Sequence, residues 1–332
     1  MNPIPSLYGK SLLTLDDVTD AEMLELVALA VKLKGKRDKR GPQPKHLLDG
    51  KNIVLVFEKA STRTRCAATV AATEEGAHAE YLGKNDIHFG KKESVADSAR
   101  VLGRMFDGIL FRGFAHHTVM QLATYAGVPV WNGLTDDAHP TQILADLQTM
   151  QQHFGTLKGL KVAYVGDGRN NVALSLIHGC AKAGVDVTVC CPPELAPVGE
   201  PVELAQEAAA RNRSRVTISH DPVNGVCGAN VLYTDVWVSM GEESQFEQRV
   251  KLLRPYQVNM EMVQNTGNLD RQRVIFLHCL PAFHNHDTEV TKELGALEVT
   301  DDVFEAPFSK VFDQAENRIH TIKAMMIASL VV

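Results

Sequence analysis

The sequence has no uninterrupted apolar run near the roughly 18 residues that a membrane span needs, so no membrane association is expected. Met1-Asn2-Pro3-Ile4-Pro5 shows no basic segment followed by an apolar one, and no secretory leader is expected. The six cysteines (Cys66, Cys180, Cys190, Cys191, Cys227, Cys279) form no C-x-x-C pair and no disulfide-like spacing. Reduced thiols in a cytoplasmic enzyme fit that pattern best. There is no block of like charge either. Net charge is −6 and the basic residues are scattered, which argues against a nucleic-acid partner while leaving local basic pockets open. Internal repeats and low-complexity stretches are absent. What remains is an ordinary globular composition, 45% apolar and 22% charged over 332 residues, enough for about two domains.

Thr19-Asp20-Ala21-Glu22 predicts a capping box, with Met23, Leu26, Val27 and Ala30 following at helical spacing. Beyond a polar connector at 36–45, short apolar strands alternate with amphipathic helices. Strands are expected at 53–57, 78–82, 108–111 and 128–131, with helices near 93–105, 118–126 and 141–153. A second series starts at 161–165 and continues at 187–191, 216–219, 231–234 and 274–277. This alternation predicts an α/β protein of two doubly wound parallel-sheet domains with a cleft between them. The seam is expected near Gly155-Thr156-Leu157-Lys158-Gly159, giving a first domain at 1–152 and a second at 153–308. A final helix at about 309–332 has no strand after it and is expected to return to the first domain.

Chemistry-bearing residues gather where strands end. Ser61-Thr62-Arg63-Thr64-Arg65 follows the apolar run 53–57 and precedes a small, Ala-rich helix. Backbone N–H groups at a helix start, two hydroxyl types and a planar guanidinium together suit a phosphate. The competing reading is a polar helix start with a surface ion pair. Arg112, His139-Pro140-Thr141-Gln142, the 235–241 segment and His278-Cys279-Leu280-Pro281 also follow strands or open helices. Taken singly, each could be a salt-bridge partner, a cap or core. Gly166-Asp167-Gly168-Arg169-Asn170-Asn171 resembles a dinucleotide fingerprint, but Asn171 stands where the third glycine belongs. Its two amides suit an amino acid's ammonium and carboxylate better. His284-Asn285-His286-Asp287 offers ligand types, yet an H-x-H on a loop is usually solvated, and no metal is expected.

Together these blocks closely resemble the ornithine branch of the aspartate/ornithine transcarbamylase family, over nearly the whole chain. The stretches that carry the resemblance include Phe57-Glu58-Lys59 with 61–65, Ala99-Arg100-Val101-Leu102-Gly103-Arg104, Val128-Pro129-Val130-Trp131-Asn132, 139–142, 235–241, 278–284 and 314–318. The resemblance implies that Ser61, Thr62, Arg63 and Thr64 hold the phosphate of carbamoyl phosphate. Arg112, His139 and Gln142 would bind its phosphate and carbamoyl ends, with Cys279, Leu280 and Arg318 completing the pocket. Asn171, Asp235, Ser239 and Met240 would hold L-ornithine, and Ser239-Met240-Gly241 looks like the family's mark for that substrate. Arg112, His139, Asp235 and Cys279 would carry catalysis, without metal or other cofactor, and the family implies a homotrimer or an assembly of trimers.

Two departures stand out. The family usually has Gln where this chain has His88, so His88 would take over one carbamoyl-phosphate contact. After Asn171, many members read Met-Gly-Asn-Ser, whereas this chain has Val172-Ala173-Leu174-Ser175. Other readings are a transferase for another amine such as putrescine, which 239–241 speaks against, a nicotinamide-dependent dehydrogenase, and a catalytically dead binding protein.

Overall fold

The computed structural model describes residues 4–37, 46–87, 89–90, 92–238 and 243–332. They divide into two compact units, Met1–Gln148 with Glu316–Val332, and Thr149–Ala315.

The first unit opens with α1 (Asp20–Arg37). Its capping box is present: the Thr19 N–H donates to the Glu22 carboxylate at 2.8 Å and the Glu22 N–H to the Thr19 hydroxyl at 3.1 Å. Then come β1 (Asn52–Phe57), α2 (Thr62–Glu74), β2 (His78–Leu82), α3 (Val95–Met105), β3 (Gly108–Arg112), α4 (His116–Ala126), β4 (Val130–Leu134) and α5 (Pro140–Phe154). The strands form a parallel sheet in the order β2-β1-β3-β4. Both faces of β1 and β3 are covered, which is why Ile53–Phe57 and Ile109–Phe111 are unbroken apolar runs. β2, at the sheet edge, alternates exposed His78 and Glu80 with half-buried residues. β4 begins two residues later than its sequence suggests. Gly127 closes α4 in the left-handed region (φ 72°), and Pro129 has no N–H to give a ladder.

The second unit holds β5 (Lys161–Val165), α6 (Asn171–Ala183), β6 (Asp186–Cys190), α7 (Glu200–Asn212), β7 (Val216–Ser219), β8 (Val231–Thr234), α8 (Phe246–Leu253), α9 (Met260–Asn265), β9 (Ile275–His278), α10 (Thr291–Leu294) and α11 (Asp301–Phe304). Its parallel sheet runs β7-β6-β5-β8-β9. The last helix, α12 (Val311–Leu330), passes into the first unit from Glu316 onward. There Lys323 Nζ meets Glu74 at 2.7 Å and Glu75 at 3.5 Å, and the Trp131 indole N–H donates to Ser329 Oγ at 3.0 Å. Among the described residues no helix is long and apolar enough to cross a membrane.

Strand order reverses once in each sheet. The chain steps outward from β1 to β2, then crosses back to β3; likewise β5, β6 and β7 run one way and β8 and β9 the other. At such a point the loops leave toward opposite faces, and a crevice opens at the carboxyl ends of the two central strands. Ser61–Arg65 follows β1 and Arg112 ends β3. Gly166–Asn171 follows β5 and Asp235 follows β8.

Close packing of α3 on α4 depends on Gly103, where a Cβ would run into the carbonyl of Ala126. Gly103→Ala is expected to destabilise the protein by about 1–3 kcal/mol, because backbone rather than a flexible side chain must move. Thermal or denaturant unfolding measures this; an unchanged midpoint would show that the contact is slack.

Candidate active site

The N-terminus of α2 is built as an anion seat. Ser61 caps it, its Oγ accepting from the Thr64 N–H at 3.2 Å, so Thr62 and Arg63 lie on the first turn. Thr64 is buried, and its hydroxyl accepts from Arg112 and from Arg318, each at 3.2 Å. Arg318 arrives on α12 and also donates to Gln142 Oε1 at 2.7 Å and Thr141 Oγ1 at 3.1 Å, both on the first turn of α5. Its guanidinium lies 3.5 Å from His139 Nε2. A guanidinium can only donate, so Nε2 is the acceptor nitrogen of that ring. Burial, reinforced by Arg318, Arg112 and Arg63, holds the His139 imidazolium well below its usual pKa, and the ring is neutral at pH 7. Arg112 and Arg318 are both under a tenth exposed. Buried guanidiniums of like charge around one hydroxyl make a local positive field that favours a multiply charged anion.

In the second unit the centre is Asp235, buried just past β8. Its Oδ1 accepts from the Cys279 thiol at 3.0 Å and from the Val236 N–H at 2.8 Å; its Oδ2 faces Asn170 Nδ2 at 3.4 Å. Asn170 is the N-cap of α6, accepting from the Ala173 N–H at 2.7 Å, and its amide also donates to the Tyr164 hydroxyl at 2.8 Å. Burial pushes the Asp235 carboxyl above its ordinary pKa, against the opposing pull of His278 and of the Cys279 and Val236 donors.

Cys279 sits on a loop that is held tightly. The Leu280 N–H donates to His278 Nδ1 at 2.9 Å, which leaves Nε2 as the protonated nitrogen facing Glu298 at 3.2 Å. Glu298 also accepts from the Phe283 N–H at 2.7 Å. Leu280 has φ 60°, a left-handed conformation uncommon for a side-chain-bearing residue. Gln314 ties the strand end, accepting from the His278 N–H at 2.9 Å while its amide donates to the Tyr233 hydroxyl at 3.2 Å.

The first unit therefore collects Ser61, Thr62, Arg63, Thr64, Arg112, His139, Gln142 and Arg318 into one constellation. The second collects Asp235 and Cys279, with Asn171 opening α6 beside the Asn170 cap. His88, Ser239 and Met240 lie outside the described residues. Sequence reasoning named Thr141 only as part of the 139–142 block and passed over Asp146, Tyr164 and Glu298, and it weighted Asn171 over Asn170, although an Asn ahead of a helical run is a capping signal. Among the described residues, two groups bring metal-ligand atom types within 4.8 Å of one another: Asp235, His278 and Cys279, and His284, Asp301 and Glu305. Both are already linked internally, by Cys279 to Asp235 and by His284 to Asp301 at 2.6 Å. His286 turns instead to the Lys292 carbonyl. A cavity of about 370 Å³ on β5–β7, lined by Lys161, Asp186, Val187, Thr188, Arg215 and Thr217 among others, shares no residue with either constellation.

Comparison with known proteins matches both units. The carbamoyl-P binding domain of aspartate/ornithine carbamoyltransferase matches residues 10–152, and the Asp/Orn binding domain matches residues 158–329. The catabolic ornithine carbamoyltransferase of Bacillus licheniformis is 55% identical, with 99% of each chain covered. That of Bacillus cereus is 57% identical, covering 98% of this chain and 97% of its own. Among solved structures, ornithine carbamoyltransferase from Pyrococcus furiosus superposes with a TM-score of 0.89 at 42% identity, covering 98% of both chains.

The environment of Asp235 has a consequence for stability. A carboxyl whose pKa is raised by folding favours the native state below the ordinary value near 3.8, and that benefit is lost as pH rises through the folded value. Asp235→Asn should therefore melt higher than the native chain at pH 7, with the gap closing toward pH 4. Calorimetric melting across that range tests it; a variant that is less stable at pH 7 would mean that the hydrogen bonds outweigh the burial cost.

Proposed function

The chain belongs to the aspartate/ornithine carbamoyltransferase family, and we propose that it transfers the carbamoyl group of carbamoyl phosphate to the side-chain amine of L-ornithine, giving L-citrulline and phosphate. The observation that carries the reading is the convergence of Arg112 and Arg318 on Thr64 at the start of α2. A dianionic phosphate is the ligand such a seat suits. Ser61, Thr62, Arg63 and Thr64 hold the phosphate in this proposal, while Arg112, His139 and Gln142 reach the carbamoyl end. Leu280 and the undescribed His88 are assigned to the same substrate by resemblance.

The amine must lose its charge before it can attack. With a pKa near 10.4, neutralising it at pH 7 costs about 4.6 kcal/mol. Desolvation lowers that cost, and an oriented acceptor positions the neutral amine against the carbonyl carbon. We assign that acceptor role to Asp235 and Cys279, already joined by a hydrogen bond. As the C–N bond forms, negative charge grows on the carbonyl oxygen. In this proposal Arg112, the Thr64 hydroxyl and neutral His139 stabilise it, because fixed donors need no reorganisation. Collapse of the tetrahedral intermediate expels phosphate, and the nitrogen's surplus proton leaves with it. Asn171, Ser239 and Met240 are assigned to the amino-acid end of ornithine. The Bacillus relatives are named catabolic; the same atoms move whichever way the net reaction runs.

Citrulline formation from carbamoyl phosphate and ornithine tests the reading, with carbamoylputrescine formation from putrescine as the contrasting arm. Dominant use of putrescine would overturn the ornithine assignment. In the same assay Arg63→Ala should keep its fold yet bind carbamoyl phosphate at least about a hundredfold more weakly, since two charge-assisted bonds are removed. Near-native affinity would remove Arg63 from the site.

Assembly as a homotrimer is part of the proposal. Supporting it, α3 and α4 expose Val101, Met105, Met120 and Tyr125, a set of large apolar side chains that water does not favour. Light scattering should give the mass of three 36.4 kDa chains or a multiple of it; a monomeric mass would exclude this. None of the six cysteines is in a disulfide, which supports a cytoplasmic setting.

A further inference from the structure

Gln142 lies between two charges of opposite sign. On one side Arg318 donates to its Oε1 at 2.7 Å; on the other its Nε2 donates to Asp146 Oδ1 at 2.8 Å, one turn further along α5. All three residues are buried, and Asp146 is 0% exposed. An amide's oxygen and nitrogen have nearly the same shape, so packing alone seldom decides which way it faces. Here chemistry decides. A guanidinium can only donate and a carboxylate can only accept, so a turned-over amide would set N–H against N–H and oxygen against carboxylate. Two charge-assisted bonds would be lost and two repulsions gained in a region of low dielectric.

We infer that Asp146 is a positioning residue that locks the Gln142 amide with its oxygen toward Arg318, and thereby makes Gln142 a selector for acyl phosphates whose acyl carbon bears an N–H. A carbonyl oxygen has two lone pairs, and Arg318 takes one. The other can accept from the –NH₂ of a carbamoyl group but gains nothing from the –CH₃ of an acetyl group. Rejection is also built in, because a methyl there would cover a buried acceptor without satisfying it. Asp146 itself touches no substrate in this scheme; it acts through Gln142. The inference rests on the assignment of the Arg112–Thr64–Arg318 seat to carbamoyl phosphate and adds to it the residue that sets acyl selectivity.

Two hydrolysis-resistant phosphonates of matched shape separate the roles: phosphonoacetamide, which ends in –NH₂, and 2-oxopropylphosphonate, which ends in –CH₃. By calorimetry the native chain should prefer the amide by about tenfold, the worth of one good hydrogen bond. Asp146→Asn, which replaces the acceptor-only partner by one that suits either orientation, should cut that preference at least about threefold while leaving 2-oxopropylphosphonate and inorganic phosphate near native affinity. Gln142→Met should abolish the preference. A folded Asp146→Asn protein with the native ratio overturns the inference, as does a parallel loss of affinity for all three ligands, which would mark a merely structural role. Should the variant fail to fold, a neutron structure of the native chain decides: deuterons on the amide atom facing Arg318 overturn the inference, and deuterons on the atom facing Asp146 uphold it. Binding of neither phosphonate by the native chain would overturn the reading of the seat, and the inference with it.

Discussion

The reversal of strand order between β1 and β3, and again between β5 and β8, is the constraint from which the functional residues take their places. In a parallel sheet every crossover must travel the full height of the sheet and return, so all strand-to-helix loops emerge on one edge. Only where the winding direction changes do two adjacent loops part company and leave room for a ligand. Both units put their chemistry at that gap. Thr64, on the first turn of the helix after β1, and Arg112, at the end of β3, flank the first reversal; Asn170, after β5, and Asp235, just past β8, flank the second. The helix start after β1 then adds its own partial positive charge to that of the guanidiniums.

The two constellations handle buried charge in opposite ways. Around Thr64 the protein gathers two guanidiniums and keeps the neighbouring imidazole neutral. At Asp235 it buries a single carboxylate and surrounds it with the weak donors of a thiol and an amide, which restrain its geometry without neutralising it. Away from these places buried charge is paired directly, as with Asp167 and Arg249, or Lys323 with Glu74 and Glu75.

Much of this was legible in the sequence, because the signals are local. Most of the strands among the described residues announced themselves as short apolar runs, and the capping box at Thr19 and the Ser-Thr-Arg-Thr-Arg turn are contiguous patterns. What stayed hidden depends on partners far apart in the chain. Tyr164 looks like an ordinary aromatic in a buried strand until Asn170 and Asp235 come to meet it. Glu298 lies twenty residues past the histidine it orients, and no spacing rule connects the two. Asp146 sits one helical turn from Gln142, which is visible, but its importance appears only once Arg318 arrives from the other end of the chain. The late start of β4 comes from a residue that cannot donate, a signal that was present and was outweighed by the apolar character of 128–131.

Arg318 and Thr64 are 254 residues apart, and that separation imposes an order on synthesis. A chain leaves the ribosome from its N-terminus and folds as it emerges. The sheet β2-β1-β3-β4 can be complete before the second unit has been made, yet the cation that meets Thr64 lies 254 residues further on. Every residue of the other unit is translated in between. A nascent chain that has not reached residue 318 therefore lacks the hydrogen bonds by which Arg318 joins Thr64, Thr141 and Gln142.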